Sequence, residues 1–121
     1  MLYEKELIYE IIGSAIQVHN ELGTGFLEKV YENALMVALN EKKIKATSQC
    51  PLSVYFHGFQ VGEYFADLIV EDKVIVELKA SEELHNNHRA QLLNYLKATG
   101  TKVGLLINFG CEKLEYERFV Y

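Results

Sequence analysis

Cysteine is scarce in this sequence: it has two, Cys50 and Cys111. Two thiols make a poor disulfide framework, and both are expected to stay reduced in the core. No apolar run approaches the roughly 20 residues that a helical membrane span requires. Met1 to Glu10 mix charges instead of following a signal-peptide pattern, so a cytoplasmic location without membrane attachment is expected. Low-complexity stretches, internal repeats and linker-like segments are missing as well. Residues 1–121 are therefore expected to form a single domain, above the size at which metals or disulfides are usually needed for folding. With 50% hydrophobic and 24% charged residues, the composition is that of an ordinary soluble globular protein.

Positive charge is also in short supply. Twelve Lys and Arg stand against 17 Asp and Glu, for a net charge of −5. Proteins that coat DNA draw much of their affinity from neutralising phosphates with a basic face, and this balance argues against that role. A nuclease stays open, because an acidic pocket becomes favourable to phosphate once a divalent cation is bound. Lys42, Lys43 and Lys45 form the only local basic cluster and read as a solvated helix end.

From Tyr3 to Leu22, Ile8, Ile11, Ile12, Ala15, His19 and Leu22 recur at helical spacing and mark a first amphipathic helix. Gly23-Thr24-Gly25 ends it, with Thr24 expected to cap a second helix over 27–42. The buried side of that helix should carry Leu27, Val30, Tyr31, Ala34, Leu35, Ala38 and Leu39. Residues 46–57 suit a strand interrupted at Pro51, at a sheet edge or bulge. His57-Gly58 is a turn signal. Strands are expected over 60–70 and 73–79, a third helix over 83–98 ending before Gly100, a doubly buried strand over 103–108, and a more exposed strand over 114–121. A strand meander, a crossover helix and a further strand give an α/β sandwich with one central mixed sheet flanked by helices.

If Glu71 to Lys73 connect the second hairpin, Val70 pairs with Val74 and Asp67 stands opposite Glu77. Directly opposed residues have Cβ atoms about 4.5–5.5 Å apart, where two carboxylates repel unless a cation or water intervenes. Lys79, two residues beyond Glu77, projects from the same face, while Leu68, Val70, Val74, Val76 and Leu78 give an apolar opposite face. Glu28 falls beside Leu35 and Leu39 on the helical projection, aimed toward the sheet; alone, it would equally serve the positive end of the helix dipole. Gln91 and Tyr95 share a stripe with His88 on the third helix, which by itself reads equally as a wet face. Two acids and a lysine on paired strands suit a hard cation with positions left for phosphate and water.

Asp67 followed by Glu77-Leu78-Lys79 resembles the D…(D/E)-x-K signature of the PD-(D/E)XK nuclease superfamily, with Ala66 where that signature has its proline. Gln91 with Tyr95 resembles a Q-x-x-x-Y element of an exonuclease-like branch. Gly25 to Tyr31 reproduces the G-x-x-E-x-x-Y motif of the GxxExxY protein family within that superfamily, and Leu105 to Gly110 is similar to that family too. The resemblance implies a restriction-endonuclease-like fold and Mg²⁺- or Mn²⁺-dependent hydrolysis of nucleic acid, DNA before RNA. It implies metal binding by Asp67, Glu77, the Leu78 carbonyl and Glu28, with catalytic roles for Lys79, Gln91 and Tyr95. Two other readings stay open: a nuclease-fold adaptor that does not cut, and a different hydrolase using His19, His57, His85 or His88, for which no complete zinc set is present. A homodimer is left open.

Overall fold

The computed structural model describes residues 4–121, so Tyr3, at the expected start of the first helix, lies outside the described residues. The chain runs α1 (Lys5–Leu22), α2 (Glu28–Glu41), β1 (Ala46–Phe56), β2 (Phe59–Val70), β3 (Val74–Lys79), α3 (Asn86–Thr99), β4 (Val103–Asn108) and β5 (Glu115–Val120). The sheet order is β1-β2-β3-β4-β5. The β3–β4 pair is parallel and the other neighbours are antiparallel. This is the expected mixed sheet, with α3 as the crossover and helices on both faces. None of the described helices is long and apolar enough to cross a membrane.

The core divides in two, as the alternation of β3 requires. Val74, Val76 and Leu78 pack with Ile8, Ile11, Leu35 and Leu39 of α1 and α2. Ile75, on the other face, packs with Leu92, Tyr95 and Leu96 of α3. All six residues of β4 are buried, which is why the stretch reads as an unbroken apolar run. Both hairpin turns use left-handed backbone: His57 and Gly58 (φ 51° and 82°) join β1 to β2, and Glu71 and Asp72 (φ 53° and 57°) join β2 to β3. Neither cysteine is in a disulfide, and both are only partly buried, so they are less enclosed than core thiols.

The start of α2 departs from the expectation. Leu27, not Thr24, is the N-cap residue, and it offers no side-chain hydrogen bond. Leu27 and Val30 are exposed rather than buried. The connection is held from a distance by Tyr31, whose hydroxyl donates to Gly23 O (2.7 Å) and accepts from Phe26 N (3.2 Å). Gly25 turns within it at φ 104°, a region that side chains avoid. The Tyr31 ring stacks on Phe109 beyond β4, with centroids 4.6 Å apart. The glycine and tyrosine of the G-x-x-E-x-x-Y stretch thus form a brace that delivers Glu28 to the first turn of α2. Tyr31→Phe, which keeps the stacking and removes both hydrogen bonds, is expected to cost about 1–3 kcal/mol, read as a lower midpoint in urea with an unchanged slope.

Helix α3 starts at Asn86, later than residue 83, because His85 takes the cap position. The His88 ring accepts from the His85 amide (3.3 Å), and the His88 amide donates to the His85 carbonyl (3.0 Å).

Candidate active site

Val70 pairs with Val74, the register that the turn length predicts, and the β2–β3 ladder then runs only as far as Leu68↔Val76. At the next step the strands part, and side chains replace the backbone ladder. The Asp67 amide donates to Glu77 Oε2 (2.7 Å), and the Leu78 amide donates to Asp67 Oδ2 (2.7 Å). Each carboxylate reaches across to the other strand's backbone and holds the gap open. Meanwhile β3 stays paired to β4 out to Lys79↔Asn108, so Glu77 and Lys79 rest on a rigid edge of that gap.

Burial of this acidic pair has an electrostatic consequence. Glu77 is almost wholly inaccessible, and burial, reinforced by the adjacent Asp67, pushes its pKa up to about 8. Burial also raises Asp67, although the hydrogen bond from Leu78 opposes this. Lys79 lowers both, too weakly to cancel the desolvation. Burial and the two acids push the Tyr95 hydroxyl up to about 12. Without a cation the pocket therefore favours the protonated form of Glu77, and a bound cation would favour release of that proton.

A carboxyl of the unfolded chain releases its proton near the ordinary value of 4.5, whereas folded Glu77 keeps its proton up to about 8. Between those limits the folded state binds more protons, so this group makes stability fall as pH rises. Subtracting the Glu77→Gln profile isolates the term. The difference is expected to be near zero below pH 4.5 and to grow by up to about 1.4 kcal/mol per pH unit toward pH 8, measured by metal-free urea unfolding.

Glu28 is exposed at the first turn of α2, and its charge is felt at both Asp67 and Glu77. Glu32, one turn further on, was not singled out by the sequence reading. It is 3% exposed, accepts from Lys29 Nζ (2.6 Å) and Gln49 Nε2 (2.7 Å), and acts on Asp67 more strongly than Glu28 does. Gln49 lies in β1 between the residues paired to Leu68 and Ala66, with φ at 50°, a strained conformation for a non-glycine residue inside a strand. The i,i+4 relation to Glu28 was the available signal for Glu32. Among the α3 residues, Tyr95 is buried and Gln91 and His88 are half-buried, and the nearby Lys79 charge adds to burial in lowering the His88 pKa. The other histidines scatter: His19 is buried with Nε2 2.8 Å from Cys111 O, and His57 stacks on Phe56 at the hairpin turn.

Oxygen donors of this kind suit a hard divalent cation. Asp67 Oδ1 and Glu77 Oε1 have no hydrogen-bond partner among the described residues, so each acid retains a free donor. No three His, Cys, Asp or Glu side chains among the described residues gather closely enough to form a complete cage. Two carboxylates with the remaining positions left to water and phosphate is the usual arrangement for Mg²⁺.

The sequence profile of the PD-(D/E)XK nuclease superfamily matches residues 5–119. The chain belongs to that superfamily. Its fold is similar to the crystal structure of SSO0001, with TM-score 0.61 and 15% identity over 96% of this chain and 59% of the other. The chain thus spans about three fifths of that protein's length. It is also similar to an alkaline exonuclease (LHK-Exo) from Laribacter hongkongensis, with TM-score 0.55 and 13% identity over 99% of this chain and 72% of the other. No curated protein matches it. These likenesses establish the restriction-endonuclease-like fold of this PD-(D/E)XK chain.

Proposed function

We propose that residues 1–121 form a cytoplasmic nuclease domain of the GxxExxY branch that hydrolyses DNA phosphodiester bonds with Mg²⁺ or Mn²⁺. The reading rests chiefly on the crossed Asp67–Glu77 pair where β2 leaves β3, with Lys79 next along the same face. Asp67, Glu77 and the Leu78 carbonyl hold the cation, and Glu28 joins directly or through water. When bound, the cation lowers the pKa of its water and offsets charge on the phosphate. Lys79 orients the attacking water or stabilises the phosphate oxygens as charge develops. Gln91 and Tyr95 line the site and steady Lys79 or the substrate backbone. Glu32, fixed by Lys29 and Gln49, keeps the Glu28 turn of α2 close to Asp67.

The test is incubation of purified protein with Mg²⁺ or Mn²⁺ and single-stranded, duplex and branched DNA, beside Asp67→Ala and Lys79→Ala. Cleavage by the wild type alone supports the reading, and equal cleavage by the variants traces the activity to a contaminant. The acidic balance of the chain favours a second reading, a nuclease-fold adaptor that binds without cutting. An adaptor has no need of metal at the acidic pair, so a calorimetric titration with Mn²⁺ separates the two.

A further inference from the structure

We infer that the slot between α3 and the outer half of the β1–β2 hairpin takes an unpaired nucleic-acid strand, whose bases stack on Tyr55 and Tyr64. This substrate class rests on the nuclease reading above. The slot is open, about 720 Å³ in volume, and lined by Tyr55, Tyr64, Gln91, Asn94, Tyr95 and Lys97 among others. That size falls within the roughly 300–1,000 Å³ of small-ligand sites and has room for splayed nucleotides.

Three observations select this occupant. First, the slot lies next to the acidic pair: Tyr95, one of its lining residues, packs in one cluster with Ile75, two residues before Glu77 on the same strand face, and its hydroxyl feels the charge of both acids. A strand whose phosphate lies at the carboxylates has its neighbouring nucleotides beside these side chains. Second, the lining carries a lysine, two amides, hydroxyls and aromatic rings but no carboxylate, although the whole chain has a net charge of −5. An anionic chain meets no carboxylate in this lining. Third, Tyr55, Phe56, Phe59 and Tyr64 are 50–74% exposed along one arm, and the Tyr64 ring stands 5.8 Å from that of Tyr95 at a tilt of 47°.

Exposed rings next to an amide-lined slot suit bases that have left their stack, and bases inside a duplex cannot use them. Stacking also answers the charge problem. Base–aromatic contacts contribute about 1–3 kcal/mol each and need few cations, so a chain this acidic can hold a single strand without the basic face that duplex binding uses.

The test is fluorescence anisotropy in EDTA at 0.15 M salt, with a labelled oligo-dT and a labelled duplex of the same length. Without metal no cleavage occurs, so binding is read apart from the nuclease reading. The single strand is expected to bind at least about tenfold tighter than the duplex. Tyr64→Ala and Tyr55→Ala should each weaken it by about 5- to 100-fold, and Tyr64→Phe should stay near wild type. Circular dichroism confirms that the variants fold, and Tyr55, at the surface, can be truncated without touching the core. Equal affinity for both forms, or folded alanine variants with unchanged single-strand binding, overturns the inference. So does a change from dimer to monomer in sedimentation on Tyr55→Ala with oligonucleotide binding intact, because the arm then serves a second copy of the chain. A protein that binds single strands but never cuts would overturn the nuclease reading alone.

Discussion

Glu77→Gln should abolish Mg²⁺-supported cleavage, by on the order of 10³-fold or more, while making the metal-free protein more stable at pH 8. The two effects share one cause. The amide can still accept from the Asp67 N–H, the hydrogen bond that spans the gap between β2 and β3. What disappears is a buried carboxyl whose own desolvation, reinforced by the adjacent Asp67, pushes its pKa up to about 8. Removing it should stabilise the metal-free protein by roughly 4 kcal/mol at pH 8 and by almost nothing at pH 4.5. Mg²⁺ should then raise the melting temperature of the wild type and leave the variant unmoved, since a ligand stabilises only the state that binds it. Differential scanning calorimetry with and without Mg²⁺, beside a cleavage assay, checks both halves. A merely structural glutamate would give the opposite sign, because losing it would lower stability at every pH.

Gly110→Ala should be the most damaging small substitution in the chain, costing about 3 kcal/mol or more and reducing any cleavage with it. A Cβ at Gly110 would overlap the backbone nitrogen and oxygen of Ser81 and lie 2.7 Å from the Ala80 carbonyl carbon. Backbone atoms cannot rotate away as a side chain can, so the segment leaving β3 just past Lys79 would have to move. That segment is otherwise tightly held. The fully buried Asn108 accepts from Ser81 N (3.0 Å) and Gly110 N (3.0 Å), and donates to Ser81 O (2.9 Å) and Glu115 Oε1 (3.0 Å). Phe109 N donates to Lys79 O (2.8 Å). Thermal unfolding reads the loss, and Gly104→Ala provides a useful contrast. There the added methyl would meet only the Leu92 side chain, at 2.9–3.1 Å, and a side chain can yield.

Some of this organisation was legible in the sequence because it follows from local rules. The turn Glu71 to Lys73 sets the hairpin register, and with it the placing of Asp67 opposite Glu77. The apolar run from Val103 to Ile107 has one natural home, the middle of a sheet covered on both faces. The alternation of β3 separates the acids and Lys79 from the valines that meet α1 and α2. What stayed hidden depends on contacts between distant residues. Thr24 has the chemistry of a helix cap, yet Tyr31 reaches back to Gly23 and Phe26 and sets the start of α2 at Glu28. Glu83 looks like a first-turn acid, but His85 takes the cap position of α3. Glu32 escaped notice because a buried carboxylate needs partners, and one of them, Gln49, sits in a backbone conformation that no local pattern announces. The stretches Gly25–Tyr31 and Leu105–Gly110 also gain a physical account: Tyr31 and Phe109 stack together and brace the elements that carry Glu28 and Lys79.

The central claim is that the crossed acids of β2 and β3 form a seat for a divalent cation. Isothermal calorimetry of the metal-free protein with Mn²⁺ at pH 8 tests it most directly. Saturable binding in the wild type that vanishes in Asp67→Ala and in Glu77→Gln, both still folded by circular dichroism, is the predicted outcome. Binding that persists undiminished in both variants, or no saturable binding by the wild type, would contradict it.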